Sequence, residues 1–258
     1  MSTQFSINLV SNASMGFFPQ NTMSSFKTQL PTPVELKGDW TVSLSEISFP
    51  CQIINVRNGY FLSRSITDKK VARSSVPSGV YTSIDALLTA IARAAYGSTY
   101  QKVIQWNIDE NSQKLTIILK AKTYLRLTSQ NLLDILGFTR ENDSIVGPGR
   151  TTGLFPIDLY GGKHSMYVYC NLLGNEILGD QNTQLLRVVP LSSLIAKNSK
   201  HESSSPTVYF PVTNLQFKRV DKAHFNDIEI KLCDETGSLI PFLGIGRTNI
   251  TLLFKLKH

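Results

Sequence analysis

The stretch "IPFLGIGRTNITLLFK", residues 240–255, has two readings that lead to different proteins. Gly244 and Gly246, followed by Arg247 and Thr248, sit one residue apart as in a phosphate-cradling loop. The same glycines also suit a turn between strands. A phosphate loop needs a Lys-Ser/Thr pair after its last glycine, a dinucleotide loop needs a third glycine, and both need a helix next. Here "NITLLFK" alternates, with Ile250, Leu252 and Phe254 on one side. That is a strand pattern. The glycines are therefore read as the turn of a hairpin delivering a last strand, with Arg247 exposed at its tip. "GPGRTTG", residues 147–153, lacks a following helical run and is set aside on the same ground.

Working outward, the alternation recurs. In "QFSINLV", residues 4–10, Phe5, Ile7 and Leu9 share a face. In "SSFKTQLP" Phe26, Thr28 and Leu30 do, and Pro31 and Pro33 are expected to end the ladder. "GDWTVSLSEISFP", residues 38–50, places Trp40, Val42 and Leu44 on one face but Ile47 and Phe49 on the other. The switch near Glu46 predicts a bulge or bend. "SMYVYCNLL", "QLLRVVPL", "TVYFPV", "DIEIKLCD" and "NITLLFKL" complete a set of short strands separated by Gly, Pro, Asn and Asp. Such spacing indicates an antiparallel β-sandwich.

Residues 80–138 read differently. Thr82 or Ser83 caps a helix with Asp85 in its first turn, Ile84, Leu87, Leu88, Ile91, Ala92 and Ala95 at helical spacing, and Gly97 past its end. A hairpin follows, Ile104/Trp106/Ile108 against Leu115/Ile117/Leu119, then a short strand and a two-turn helix capped by Ser129 and stopped by Gly137. The predicted organisation is an N-terminal part of the sandwich at 1–79 with a basic loop, an α+β insertion at 80–138, and a C-terminal part at 139–258. "TRENDSIVGPGRTTG" reads as a loop, and residues 197–206 as another.

The 258 residues are 41% hydrophobic and 17% charged, enough apolar material for a sizeable core. The net charge of +7 favours acidic partners or serves solubility. Cys51, Cys170 and Cys233 lie far apart, an odd count with no Cys-x-x-Cys, which implies synthesis in a reducing compartment. No basic-then-apolar leader opens the sequence and no apolar run reaches the length of a membrane span.

Catalytic motifs are not met. His164, His201, His224 and His258 have no metal-ligand spacing, so neither metal nor other cofactor is expected. Cys170 alternates within a strand, with Tyr167 and Tyr169 on the other face, and reads as core. Glu46 reads as a buried carboxylate bonded to backbone or arginine. Lys69, Lys70 and Arg73 make a basic loop that suits phosphate or an acidic partner. Residues 63–76 carry no aromatic to interleave with those charges, so a solvated loop explains them as well.

Several segments together, "FPQNTMSSFKTQLPTPVELKGDWTVSLSEISFP", "SMYVYCNLL…GDQNTQLLRVVP", "FPV" and "DIEIKLCDETGSLIPF" followed by "ITLLFK", resemble the minor capsid, or penton, protein of Polinton (Maverick) transposable elements and the related adintoviruses. The similarity spans roughly residues 15–60 and 75–255 as many weak matches in order. Asn171 stands where that pattern leads one to expect an acidic residue, and "QNTQ" replaces an Ala-Pro-containing stretch. The resemblance implies a mainly β protein, a single jelly roll, and a non-enzymatic virion subunit. It further implies five copies around an icosahedral vertex beside trimers of a double jelly-roll major capsid protein, with synthesis in the host cytoplasm or nucleus. The basic loops would then face genomic DNA or a neighbouring subunit, as would Arg247, and no membrane is involved. A carbohydrate- or ligand-binding sandwich is the other reading, because jelly rolls also serve lectins.

Overall fold

The computed structural model describes residues 3–64, 70–191 and 207–257. Lys69, His201, His258 and the 197–206 loop lie outside them. The chain divides into two compact units, one from residues 1–53 with 163–258, the other from residues 54–162.

In chain order, the first unit opens with β1 (Gln4–Val10), β2 (Ser25–Glu35) and β3 (Trp40–Pro50). The second unit contains β4 (Gly59–Arg64), β5 (Ala72–Val76), α1 (Ile84–Tyr96), β6 (Ile104–Ile108), β7 (Lys114–Leu119), β8 (Tyr124–Leu127), α2 (Gln130–Leu136), β9 (Ser144–Val146) and β10 (Gly149–Pro156). The first unit resumes with β11 (Ser165–Cys170), β12 (Glu176–Leu178), β13 (Gln181–Thr183), β14 (Leu185–Pro190), β15 (Thr207–Pro211), β16 (Lys218–Arg219), β17 (His224–Cys233) and β18 (Asn249–Leu256).

The first unit is a jelly roll. One sheet has the order β1-β18-β3-β15, with β16 also on β3, and the other β14-β11-β17-β2, all pairs antiparallel. Counting its eight main strands along the chain, the sheets run 1-8-3-6 and 5-4-7-2, two interlocked Greek keys. Alternate side chains from both sheets fill one core, including Leu9, Phe26, Leu44, Ile47, Phe49, Val168, Cys170, Ile230 and Phe254. The bulge predicted near Glu46 is present. The β18 register steps from Thr251 opposite Glu46 to Leu252 opposite Leu44, leaving Ser45 unpaired. That one extra residue is what lets Val42 and Leu44, then Ile47 and Phe49, all reach the core.

Asn171 makes a backbone contact that an acidic side chain could also make. Its side-chain carbonyl accepts the Glu229 N–H at 2.9 Å, and a carboxylate would accept the same bond.

Two sequence expectations are corrected. Pro31 and Pro33 do not end β2. Its pairing with β17 lapses between Gln29 and Val34 and then resumes, so both prolines fall in the gap of an edge strand, where no ladder N–H is required. Residues 139–153 are not all loop, because β9 pairs with β8 and β10 with β7.

The second unit has a three-stranded sheet, β10-β7-β6, and a four-stranded sheet, β5-β4-β8-β9. Its core joins Phe61, Leu125, Leu127 and Ile145 to the apolar faces of α1 and α2. The unit is wider than the 80–138 stretch because β4 and β10, outside that stretch, pair with β8 and β7 inside it. In chain order it lies between the third and fourth jelly-roll strands. Ser83 caps α1, accepting the Ala86 N–H at 3.1 Å, and Gly97 follows its last residue. Ser83→Ala should lower this unit's unfolding free energy by about 1 kcal/mol in chemical denaturation. Ser129 stands at the N-cap of α2 without a side-chain cap bond, and Gly137 ends that helix in the left-handed conformation.

Candidate interaction surfaces

The 240–248 segment is a crossing, not the hairpin expected from sequence: β17 and β18 lie in different sheets, and the segment carries the chain between them. Gly244, at φ +98, supplies a conformation that favours glycine. Gly246 lies so close to Pro50 that a Cβ would sit 2.5 Å from its ring. Behind the crossing, Ser11 donates its N–H to Thr248 (2.9 Å) and Thr248 returns one to the Ser11 hydroxyl (3.0 Å). The Thr248 hydroxyl reaches the Met23 carbonyl at 2.7 Å, and Ser24 bonds Ile240. These bonds hold loops 11–24 and 240–248 at one end of the sandwich. Arg247 is exposed there, as expected. The two loops also present Met15, Phe17, Leu243 and Ile245 to solvent, Ile245 fully. Exposed apolar side chains on tied loops suit a protein contact better than a nucleotide. Periodicity did not reveal them, since loop residues have none.

In the second unit, β4 and β5 pair antiparallel. Lys70 is exposed shortly before β5. Arg73 lies on β5 with its guanidinium 4.4 Å from the centre of the Tyr60 ring. The aromatic that residues 63–76 lack is thus supplied by the neighbouring strand β4. Sequence adjacency could not show it; cross-strand register does.

The catalytic candidates stay apart. Cys170 is buried and its thiol is pushed up to about 12, chiefly by burial, which disfavours the nucleophilic thiolate. Burial also raises Cys51 and Cys233. Glu46 is exposed on the bulge, not buried as expected, because the extra residue turns it outward. It neighbours the exposed Tyr209 on β15, whose hydroxyl is raised by desolvation and by that carboxylate. His164 and His224 are exposed. Among the described residues no three metal-ligating side chains cluster, and no helix is long and apolar enough to cross a membrane.

Asp234 does a structural job in the "DETG" turn. One of its oxygens accepts the N–H groups of Thr236 and Ser238, each at 3.0 Å, and the other meets the Lys163 ammonium at 3.1 Å. Burial works to raise its carboxyl, but the Thr236 and Lys163 interactions outweigh it and hold the pKa below the ordinary 3.8. A depressed folded-state pKa contributes stability that is present above 3.8 and lost as pH falls through the folded value. Asp234→Asn should therefore be less stable than the parent at about pH 7, with the gap closing toward about pH 3, in urea titrations at both values.

No family profile matches the chain, and no curated protein does. Among solved structures, the fold is similar to the mavirus penton protein, with a TM-score of 0.52, 12% identity, and coverage of 98% of this chain and 99% of that one. A chain in the structure of the Sputnik virophage gives a TM-score of 0.48 at 13% identity, covering 99% of this chain and 98% of that one. The first likeness is one of fold, and it agrees with the single jelly roll that the sequence resemblance implies.

Proposed function

We propose that the chain is a structural virion protein, a penton-like minor capsid subunit of a Polinton- or adintovirus-like particle. Five copies form a ring at each icosahedral vertex, beside trimers of a double jelly-roll major capsid protein. The protein is made inside the host cell and acts without enzymatic chemistry. The observation that supports this reading most is end-to-end coverage of a penton protein's fold, insertion included. A ring uses two different patches of each subunit, and the tied loops bearing Arg247, Phe17 and Ile245 make one of them. Production together with a double jelly-roll coat protein tests the reading. The chain should sediment with the particles, and Ile245→Asp with Arg247→Glu should fold normally yet stay in the soluble fraction. A parent chain that never enters particles would count against it.

A further inference from the structure

The outer face of the β5-β4-β8-β9 sheet has a chemistry that the capsid reading does not use. Phe61 and Ser63 of β4 point into the core, so Tyr60, Leu62 and Arg64 point away from it. Register extends the outward set. Arg73 lies opposite Leu62, Ser75 opposite Tyr60, Arg126 opposite Leu62 from the other side, and Tyr124 opposite Arg64. On β9, Ser144 and Val146 continue the face, Val146 being 62% exposed. Two tyrosines thus stand on the two central strands, with arginines between and beside them, while α1 and α2 pack behind.

The charges on this face are arranged unequally. Arg126 is held by Asp143 through its Nε at 3.0 and 3.1 Å. Arg64 and Arg73 make no ion pair among the described residues. Arg73 instead lies over Tyr60, beside a shallow depression lined by Asn58, Tyr60, Leu62, Arg73, Thr128 and Ser129. The wider unit matches. Residues 54–162 hold 13 Lys and Arg against 8 Asp and Glu, net +5, while the rest of the chain holds 13 against 11, net +2. Most of the chain's net positive charge therefore belongs to the unit that carries this face.

We propose that this sheet face binds single-stranded nucleic acid, with bases stacking on Tyr60 and Tyr124 and phosphates meeting Arg64 and Arg73. A sheet face with aromatics on its central strands offers platforms for unstacked bases. Tyr60 and Tyr124 lie on neighbouring strands four residues apart in register, about 14 Å on sheet spacings, a span that two or three extended nucleotides cover. Arg73, held on the Tyr60 ring, is positioned in advance for a phosphate beside a stacked base.

The test is fluorescence anisotropy of the full chain with labelled oligothymidylate of about 20 nucleotides at about 50 mM salt. Binding should weaken as salt rises, and a duplex of equal length should bind at least about tenfold more weakly. Arg64→Ala with Arg73→Ala should lower affinity about tenfold or more and flatten the salt dependence. Tyr60→Leu and Tyr124→Leu should each cost about tenfold while leaving the salt dependence unchanged. Circular dichroism confirms that each variant folds. Photocrosslinking of the unaltered chain to thiouridine-bearing oligonucleotide should label peptides spanning residues 59–64 and 124–126. Absent binding, crosslinks confined to other segments, or tyrosine variants that bind as well as the parent would overturn the proposal. So would a sulfated oligosaccharide that binds more tightly than an oligonucleotide of equal charge. The outcome is separable from the capsid reading, since a chain that never enters particles is still tested here.

Discussion

Phe254→Ala is expected to remove a large share of the stability of the jelly roll. Phe254 is fully buried on β18, a central strand of its sheet. Its ring stacks on Phe5 of β1, centroids 4.7 Å apart, and faces Phe225 of the opposite sheet at 6.1 Å. Phe5 in turn meets Trp40 at 5.3 Å. One side chain therefore joins three strands and both sheets. Truncating it loses the transfer energy of the ring and leaves a cavity that strands fixed by their ladders cannot close, about 3–5 kcal/mol. Against the usual margin of about 5–15 kcal/mol, that is a large share. The chain has two tryptophans, Trp40 in the first unit and Trp106 in the second. A Trp106→Phe background makes Trp40 the reporter in a denaturant titration. The midpoint should fall steeply with an unchanged slope; a shift below about 1 kcal/mol would mean that the sheets do not meet at Phe254.

The second unit has its own sensitive point in Gly137→Ala. Gly137 ends α2 at φ +73, and β10 crosses so close that an added Cβ would lie 2.1 Å from the Phe155 carbonyl oxygen. Phe155 also donates its N–H to the Gly137 carbonyl at 3.0 Å, tying strand to helix end. Alanine would be strained by its backbone and would also push β10 away, at a combined cost of about 2–4 kcal/mol. With Trp106 as reporter in a Trp40→Phe background, the loss should exceed the roughly 1 kcal/mol that left-handed backbone strain alone would cost. A loss of about 1 kcal/mol or less would mean that no such close approach exists.

The sequence showed most plainly what depends on near neighbours. The change of face at Glu46 announced the bulge, because a period of two cannot otherwise place Leu44 and Ile47 in one core. Ser83 and Gly97 marked both ends of α1 because caps act within a turn. Long-range pairing was harder to read. Pro31 and Pro33 looked like terminators until β17 was seen to skip past them. "GPGRTTG" looked like loop although its threonines pair with β7. The limits of the second unit depend on which strands meet β7 and β8, and no local pattern carries that. The candidate surfaces divide in the same way: Arg247 and Arg73 were legible as exposed charges, whereas the tyrosine under Arg73 needed the register of β4 on β5. Ile245 and Phe17, being apolar residues in loops without regular spacing, have no periodic pattern to betray them.

The most direct test of the central claim is electron cryomicroscopy of particles made with a double jelly-roll coat protein and this chain. Five copies are expected around each vertex, each showing an eight-stranded sandwich with the loops of residues 11–24 and 240–248 at a subunit contact. Vertices built entirely from another protein, with this chain absent from the particle, would contradict it.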